Sequence, residues 1–103
     1  MTQLNINGIE YPAKMTLGAI KRACKSTGSN DYNALFEKGI EGISAVVHES
    51  LVSGSNAGDL RYKLTQEGFD ELVNITTVSE LFTKLTNDSL PKVEAESGTK
   101  NVN

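Results

Sequence analysis

Gln3-Leu4-Asn5-Ile6-Asn7-Gly8-Ile9-Glu10-Tyr11-Pro12 is the stretch from which the fold class follows. Leu4 and Ile6 alternate with polar neighbours, and Ile9 and Tyr11 alternate again on the far side of Asn7-Gly8. Asn-Gly is the pair that accepts positive φ at both central positions of a type I′ turn, whose twist matches that of two antiparallel strands. The pattern predicts a β-hairpin over residues 3–12, with Pro12, which has no N–H, marking the end of the pairing or an edge. Two strands are not stable alone in water, so this hairpin has to lay one face on helices or join another sheet.

Downstream the period changes to that of helices. Thr16 is a candidate N-cap for a helix over about 16–26, whose apolar stripe is Leu17, Ile20 and Cys24, with Lys21, Arg22 and Lys25 to one side and Thr27-Gly28 as the stop. Ser29-Asn30-Asp31 opens a short helical segment over 32–38 with Leu35 and Phe36 on its apolar side, and Gly39 breaks it. Ile40, Ile43, Val47 and Leu51 fall on one narrow face of a helix over 40–52. Ser53 to Gly58, three small polar residues and two glycines in six positions, reads as a surface loop. Leu60, Tyr62 and Leu64 alternate with Arg61 and Lys63 and fit either a short strand or the opening of a helix.

Thr65 caps a helix over 66–74, and Thr77-Val78-Ser79-Glu80 has the form of a capping box that starts a final helix over 78–86, with Val78, Leu81, Phe82 and Leu85 at helical spacing. From Asn87 to Asn103 only Leu90, Val93, Ala95 and Val102 are apolar, too few to repay the entropy of ordering, so 87–103 reads as a disordered tail. The expected architecture is therefore α+β: one small, mostly α-helical domain over 1–86 with an N-terminal hairpin.

The totals exclude several kinds of chemistry. With 103 residues, 38% hydrophobic, six aromatics and no Trp, the chain has material for one modest core and little stability to spare for a strained active site. One cysteine, Cys24, cannot form an internal disulfide, and one histidine, His48, leaves no cluster to hold zinc. No Ser/His/Asp or Cys/His constellation is present, so no catalytic residue, metal ligand or cofactor site is expected and the chain reads as a non-enzyme. Cys24 reads as a small core residue, and His48, beside Glu41 and Glu49, as a half-exposed surface residue. No apolar run is long enough to cross a bilayer, and Met1-Thr2-Gln3-Leu4-Asn5 lacks the start of a signal peptide, so the expected compartment is the cytoplasm.

Charge is informative by position. Residues 1–28 carry Lys14, Lys21, Arg22 and Lys25 against Glu10, a net of +3, whereas the remaining residues hold six basic and twelve acidic side chains, a net of −6. The basic first helix makes a small nucleic-acid-binding regulator the alternative function, although four cations without interleaved aromatics are a weak footprint for phosphates. Asp88-Ser89-Leu90 has the form of the serine motif that carries phosphopantetheine in acyl carrier proteins, yet Pro91 and a polar tail follow it instead of a helix.

The order of the pieces resembles a known family. A hairpin of the form Leu-x-Ile-Asn-Gly-x-x-Tyr (Leu4 to Tyr11), a basic amphipathic helix ending in Thr27-Gly28, a short capped segment, an apolar helix, a loop and a closing amphipathic pair are similar to the tail assembly chaperones of long-tailed bacteriophages and prophages, over about residues 3–86. The middle section departs from the pattern through Ala23 and Cys24, where bulkier residues are usual, and through Gly39, Gly42, Gly54 and Gly58. The resemblance implies a non-catalytic protein of the bacterial host cytoplasm that binds the tape measure protein during virion morphogenesis, shields its apolar helices and helps recruit tail tube protein. The expected client-binding residues are Val78, Leu81, Phe82 and Leu85 of the last helix, with Val46 at the edge of the earlier apolar face. The free edges of a two-stranded hairpin also permit self-association.

Overall fold

The computed structural model describes residues 2–56 and 62–89. Strand β1 (Thr2–Ile6) pairs antiparallel with β2 (Ile9–Ala13), with Ile6 opposite Ile9, Leu4 opposite Tyr11 and Thr2 opposite Ala13. Asn7 and Gly8 take φ of 54° and 87°, the two positive values that a type I′ turn requires, and the Gly8 N–H donates to Asn5 Oδ1 at 3.0 Å. Because a two-residue turn makes Ile6 and Ile9 a hydrogen-bonded pair, the pair Gln3 and Pro12 falls at a non-hydrogen-bonded position. The missing N–H of Pro12 thus points out of the ladder, and pairing runs one residue past it, to Ala13.

Among the described residues five helices follow: α1 (Leu17–Thr27), α2 (Tyr32–Glu37), α3 (Ile40–Asn56), α4 (Gln66–Leu72) and α5 (Ile75–Ser89). The inner face of the hairpin rests on two of them, β2 on α3 and β1 on α5, while α1 packs along the flank of α3. One apolar cluster joins these layers through Leu4, Ile6, Leu35, Val46, Val47, Leu51, Phe69, Val78, Leu81 and Leu85. The architecture is the α+β domain with an N-terminal hairpin that the sequence predicts.

Capping sets the helix boundaries. Thr16 Oγ1 accepts from the Ala19 N–H at 3.0 Å, Asp31 Oδ1 from Ala34 N–H at 2.8 Å and Thr65 Oγ1 from Gly68 N–H at 3.0 Å. Gly28, at φ 73°, ends α1, and the Ser29 N–H reaches back to the Cys24 carbonyl at 2.8 Å. The last helix departs from expectation. Asn74 Oδ1 accepts from the Thr77 N–H at 2.8 Å, so Asn74 is the cap and α5 begins three residues before the Thr77-Glu80 pattern indicates. It also runs through Asn87, Asp88 and Ser89, which were expected in the tail; residues 90–103 lie outside the described residues.

Other expectations fail for reasons of packing. On α1 the buried side chains are Ala19 and Ala23, with Ile20 and Cys24 half-buried, and Leu17 is 71% exposed. Two helices approach closely through their smallest residues, so the alanines, not the leucine, face α3. Helix α3 has no single narrow face. Ala45, Val46, Val47 and His48 are consecutive and all buried, because α1, β2, α4 and α5 surround this helix, while Ile40 at its start is 45% exposed.

Over 53–56 the expected loop is corrected: Ser53 to Asn56 form the last turn of α3, and Gly54 and Ser55 are buried, while Ala57 and Gly58 lie outside the described residues. A Cβ on Gly54 would run into the Pro12 carbonyl, so this glycine is where β2 crosses α3 at backbone contact. Residues 62–65 are neither strand nor helix, and Leu60 and Arg61 lie outside the described residues. Helix α4 stops at Leu72, two residues short of its expected end.

Candidate functional site

Thr16, Arg22, Glu49, Ser53 and Tyr62 form a chain of polar contacts around the one histidine, His48. His48 is buried, 5% exposed, not half-exposed as the sequence predicts, because α3 carries it into the space between α4 and the segment 62–65. Its Nδ1 lies 2.7 Å from the Tyr62 hydroxyl, and its ring packs against Tyr62 and Phe69 at centroid distances of 5.7 and 5.9 Å. Glu49 Oε2 stands 4.0 Å from Nε2, which favours the neutral tautomer with its hydrogen on Nε2; Nδ1 then accepts from the tyrosine hydroxyl. Burial lowers the His48 pKa from 6.5, against an opposing pull from the Glu49 and Asp70 carboxylates and with a smaller lowering from Arg22. Burial likewise raises the Tyr62 phenol well above its ordinary 10, helped by Glu49, Asp70 and Tyr11.

The network continues outward to α1. Arg22 Nε donates to Glu49 Oε1 at 2.7 Å, and its Nη2 donates to Ser53 Oγ at 2.8 Å and to the Glu49 carbonyl at 3.2 Å. Ser53 Oγ lies 3.0 Å from Thr16 Oγ1, the hydroxyl that caps α1. These contacts lock α1 and the 62–65 segment onto α3. A general acid or base needs access to a reacting atom, and His48 lines neither of the two surface grooves described below. Among the described residues, no three His, Cys, Asp or Glu side chains gather closely enough to hold a metal ion. No helix among them is long and apolar enough to cross a membrane.

The predicted client-binding residues are in the core. Val46 and Leu85 are 0% exposed, Val78 is 3% and Leu81 7%, and Phe82 is half-buried with its ring 5.5 Å from that of Phe36. The stripe at helical spacing holds α5 under β1 and against α3, so Val46, Val78, Leu81 and Leu85 present little surface in the folded domain and Phe82 only part of its ring. The basic helix is also changed by folding: Arg22 is taken up by Glu49 and Ser53, leaving Lys14, Lys21 and Lys25 exposed. Three lysines are a still weaker footprint for nucleic acid.

Two grooves of about 280 Å³ each carry exposed apolar side chains. The first runs between the turn end of the hairpin and the segment leading into α4, lined by Ile6, Asn7, Ile9, Tyr11, Tyr62, Lys63, Leu64 and Leu72. Tyr11 and Tyr62 meet edge to face at 5.5 Å within it, while Ile9 and Leu72 stand 46% and 44% exposed. The second lies where α3 starts, α4 ends and α5 starts. It is lined by Ile40, Val73, Ile75 and Val78 with Glu41, Ser44, Asp70 and Asn74, and Ile75 is 71% exposed.

No family model, curated protein or solved structure matches this chain. The grooves themselves were hidden in the sequence. Ile9 reads as one more alternating strand residue, and Leu72 and Ile75 as helix residues, until the ends of α4 and α5 are placed beside the hairpin and α3. The one local signal was Leu72-Val73-Asn74-Ile75, an apolar run too dense for a single helical face.

Proposed function

We propose that this chain is a non-catalytic tail assembly chaperone of the long-tailed phage type, which binds the tape measure protein in the bacterial host cytoplasm and assists tail tube assembly. The observation that carries the reading is the groove beside the hairpin. Its apolar banks, Ile9 and Leu72, are set over two tyrosine rings with Lys63 as the single charged lining residue. Such a surface suits the apolar stripe of an amphipathic helix. The arrangement moves the client site away from the buried Val46, Val78, Leu81 and Leu85 and the half-buried Phe82. It keeps the logic of shielding a client's apolar helices, with many weak copies spaced along one long chain.

Coexpression with a tape measure protein tests this reading. The wild-type chain keeps the client soluble and copurifies with it, whereas Ile9→Asp with Leu72→Asp, both at exposed positions, leaves the fold intact and abolishes copurification. A folded double variant that still copurifies with the client defeats the assignment of the groove. A client that stays insoluble beside the wild-type chain defeats the function.

A further inference from the structure

We propose that this protein assembles with itself through α1, the exposed stripe Leu17, Lys21 and Lys25 of one copy docking into the groove between α3, α4 and α5 of the next. Two halves of one contact are visible on the surface. The donor half is Leu17, 71% exposed at the start of α1, with Lys21 one turn and Lys25 two turns further along the same exposed face. Neither lysine has an ion-pair partner among the described residues, in contrast to Arg22, which is held by Glu49. The acceptor half is the groove with Ile40, Val73 and Ile75 as its apolar lining and the carboxylates of Glu41 and Asp70 on its α3 and α4 banks; no basic side chain lines it.

The complementarity is of both kinds. An apolar anchor flanked by cations meets an apolar groove flanked by anions, and the charge split along the chain, +3 over residues 1–28 against −6 beyond them, supplies the same pairing at longer range. At 1.5 Å per residue the two lysines stand about 6 and 12 Å along α1 from the leucine, within side-chain reach of both banks. The hairpin-side groove does not fit this donor, since the charge on its lining is a lysine. Within one chain Leu17 is left in solvent, so it is not seated in its own groove.

Donor and acceptor are different surfaces, so each copy gives one contact and takes another. A heterologous contact of this kind extends into rings or open chains. The proposal goes beyond the client reading and does not depend on it, because the client groove and this groove share no lining residue.

Sedimentation of the full chain provides the test. Wild type associates reversibly, and raising salt from about 0.05 to about 0.5 M weakens association roughly tenfold. Leu17→Asp and Ile75→Asp, both at positions 71% exposed, each weaken it by roughly 10- to 100-fold with unchanged circular dichroism. Mixing the two restores a one-to-one dimer and nothing larger, since Leu17→Asp retains an intact groove and Ile75→Asp an intact donor. The charge pair gives an independent version: Lys21→Glu and Glu41→Lys each weaken association, and the mixture recovers it. A wild-type chain still monomeric near 1 mM overturns the proposal, as does association that survives either substitution or a mixture that stays monomeric. Loss of client binding in the Ile9/Leu72 variant leaves all of these results unchanged, so the two readings fail separately.

Discussion

Replacing Gly54 by alanine separates the packing described above from the propensity of the sequence. In an ordinary helix the change is stabilising by about 1 kcal/mol, because glycine loses more backbone entropy on folding. At Gly54 the new Cβ meets backbone instead of solvent: besides striking the Pro12 carbonyl oxygen, it lies 2.5 Å from the carbonyl carbon and 2.9 Å from the Ala13 Cα. Ordinary contact begins at 3.4 Å, so β2 and α3 have to separate by about 1 Å. That movement stretches the Lys14 N–H to Ser50 carbonyl bond from 2.9 Å to about 4 Å, past hydrogen-bond range. A lost bond of about 1 kcal/mol and overpacking of about 1–3 kcal/mol outweigh the propensity gain, for a net loss of about 1–3 kcal/mol.

Urea denaturation of Gly54→Ala beside Gly18→Ala measures the difference. At Gly18 the added Cβ meets the tip of the Arg22 side chain at 3.3 Å and Thr16 Oγ1 at 3.6 Å, so the arginine gives way and the helix gain of up to about 1 kcal/mol survives in part. For a domain of this size a loss of 1–3 kcal/mol lowers Tm by roughly 5–20 °C. If Gly54→Ala proves as stable as wild type, β2 does not lie on α3 at backbone contact and the account of the last turn of α3 is wrong.

Two further outcomes follow from the buried polar groups. Because burial holds the folded-state pKa of His48 below its ordinary 6.5, the unfolded chain takes up the proton first as pH falls. The stability associated with neutral His48 is therefore complete above 6.5, declines below it and levels off once pH passes the folded-state pKa; thermal melts in that window show the decline in wild type and not in His48→Gln. Ser50 Oγ is fully buried and has no hydrogen-bond partner among the described residues, so Ser50→Ala removes an uncompensated hydroxyl and raises stability by about 1 kcal/mol in the same urea assay.

Local chemistry accounts for what was legible at the outset. Asn7-Gly8 specifies its turn because few other pairs tolerate two positive φ values, and Thr16, Asp31 and Thr65 specify helix starts because their side chains reach N–H groups three residues away. The cap of α5 was misplaced because two side chains near it, Asn74 and Thr77, both suit the role, and the choice rests on where α4 ends. Burial was legible on α2, where Leu35 lies on the apolar side that the sequence marks. It was not on α3, where neighbours on several sides bury Val46, His48 and Ser50 together, nor on α1, where the close approach to α3 selects Ala19 and Ala23 over Leu17.

The candidate site follows the same division. Sequence spacing found the apolar stripe of α5 and read it as available; packing consumed that stripe, because a stripe able to hold a client is equally able to hold β1 and α3, and those are always at hand. Among the described residues the exposed large apolar side chains, Ile9, Leu17, Tyr32, Ile40, Leu72 and Ile75, sit at the ends of elements. Their exposure depends on how chain segments far apart in sequence are brought side by side. The sequence by itself determined the hairpin, the succession of helices among the described residues and the separation of positive from negative charge, since turn geometry, capping and charge are properties of neighbouring residues. Tertiary structure alone decided which apolar face is core and which is surface, because burial is a property of what else is packed nearby.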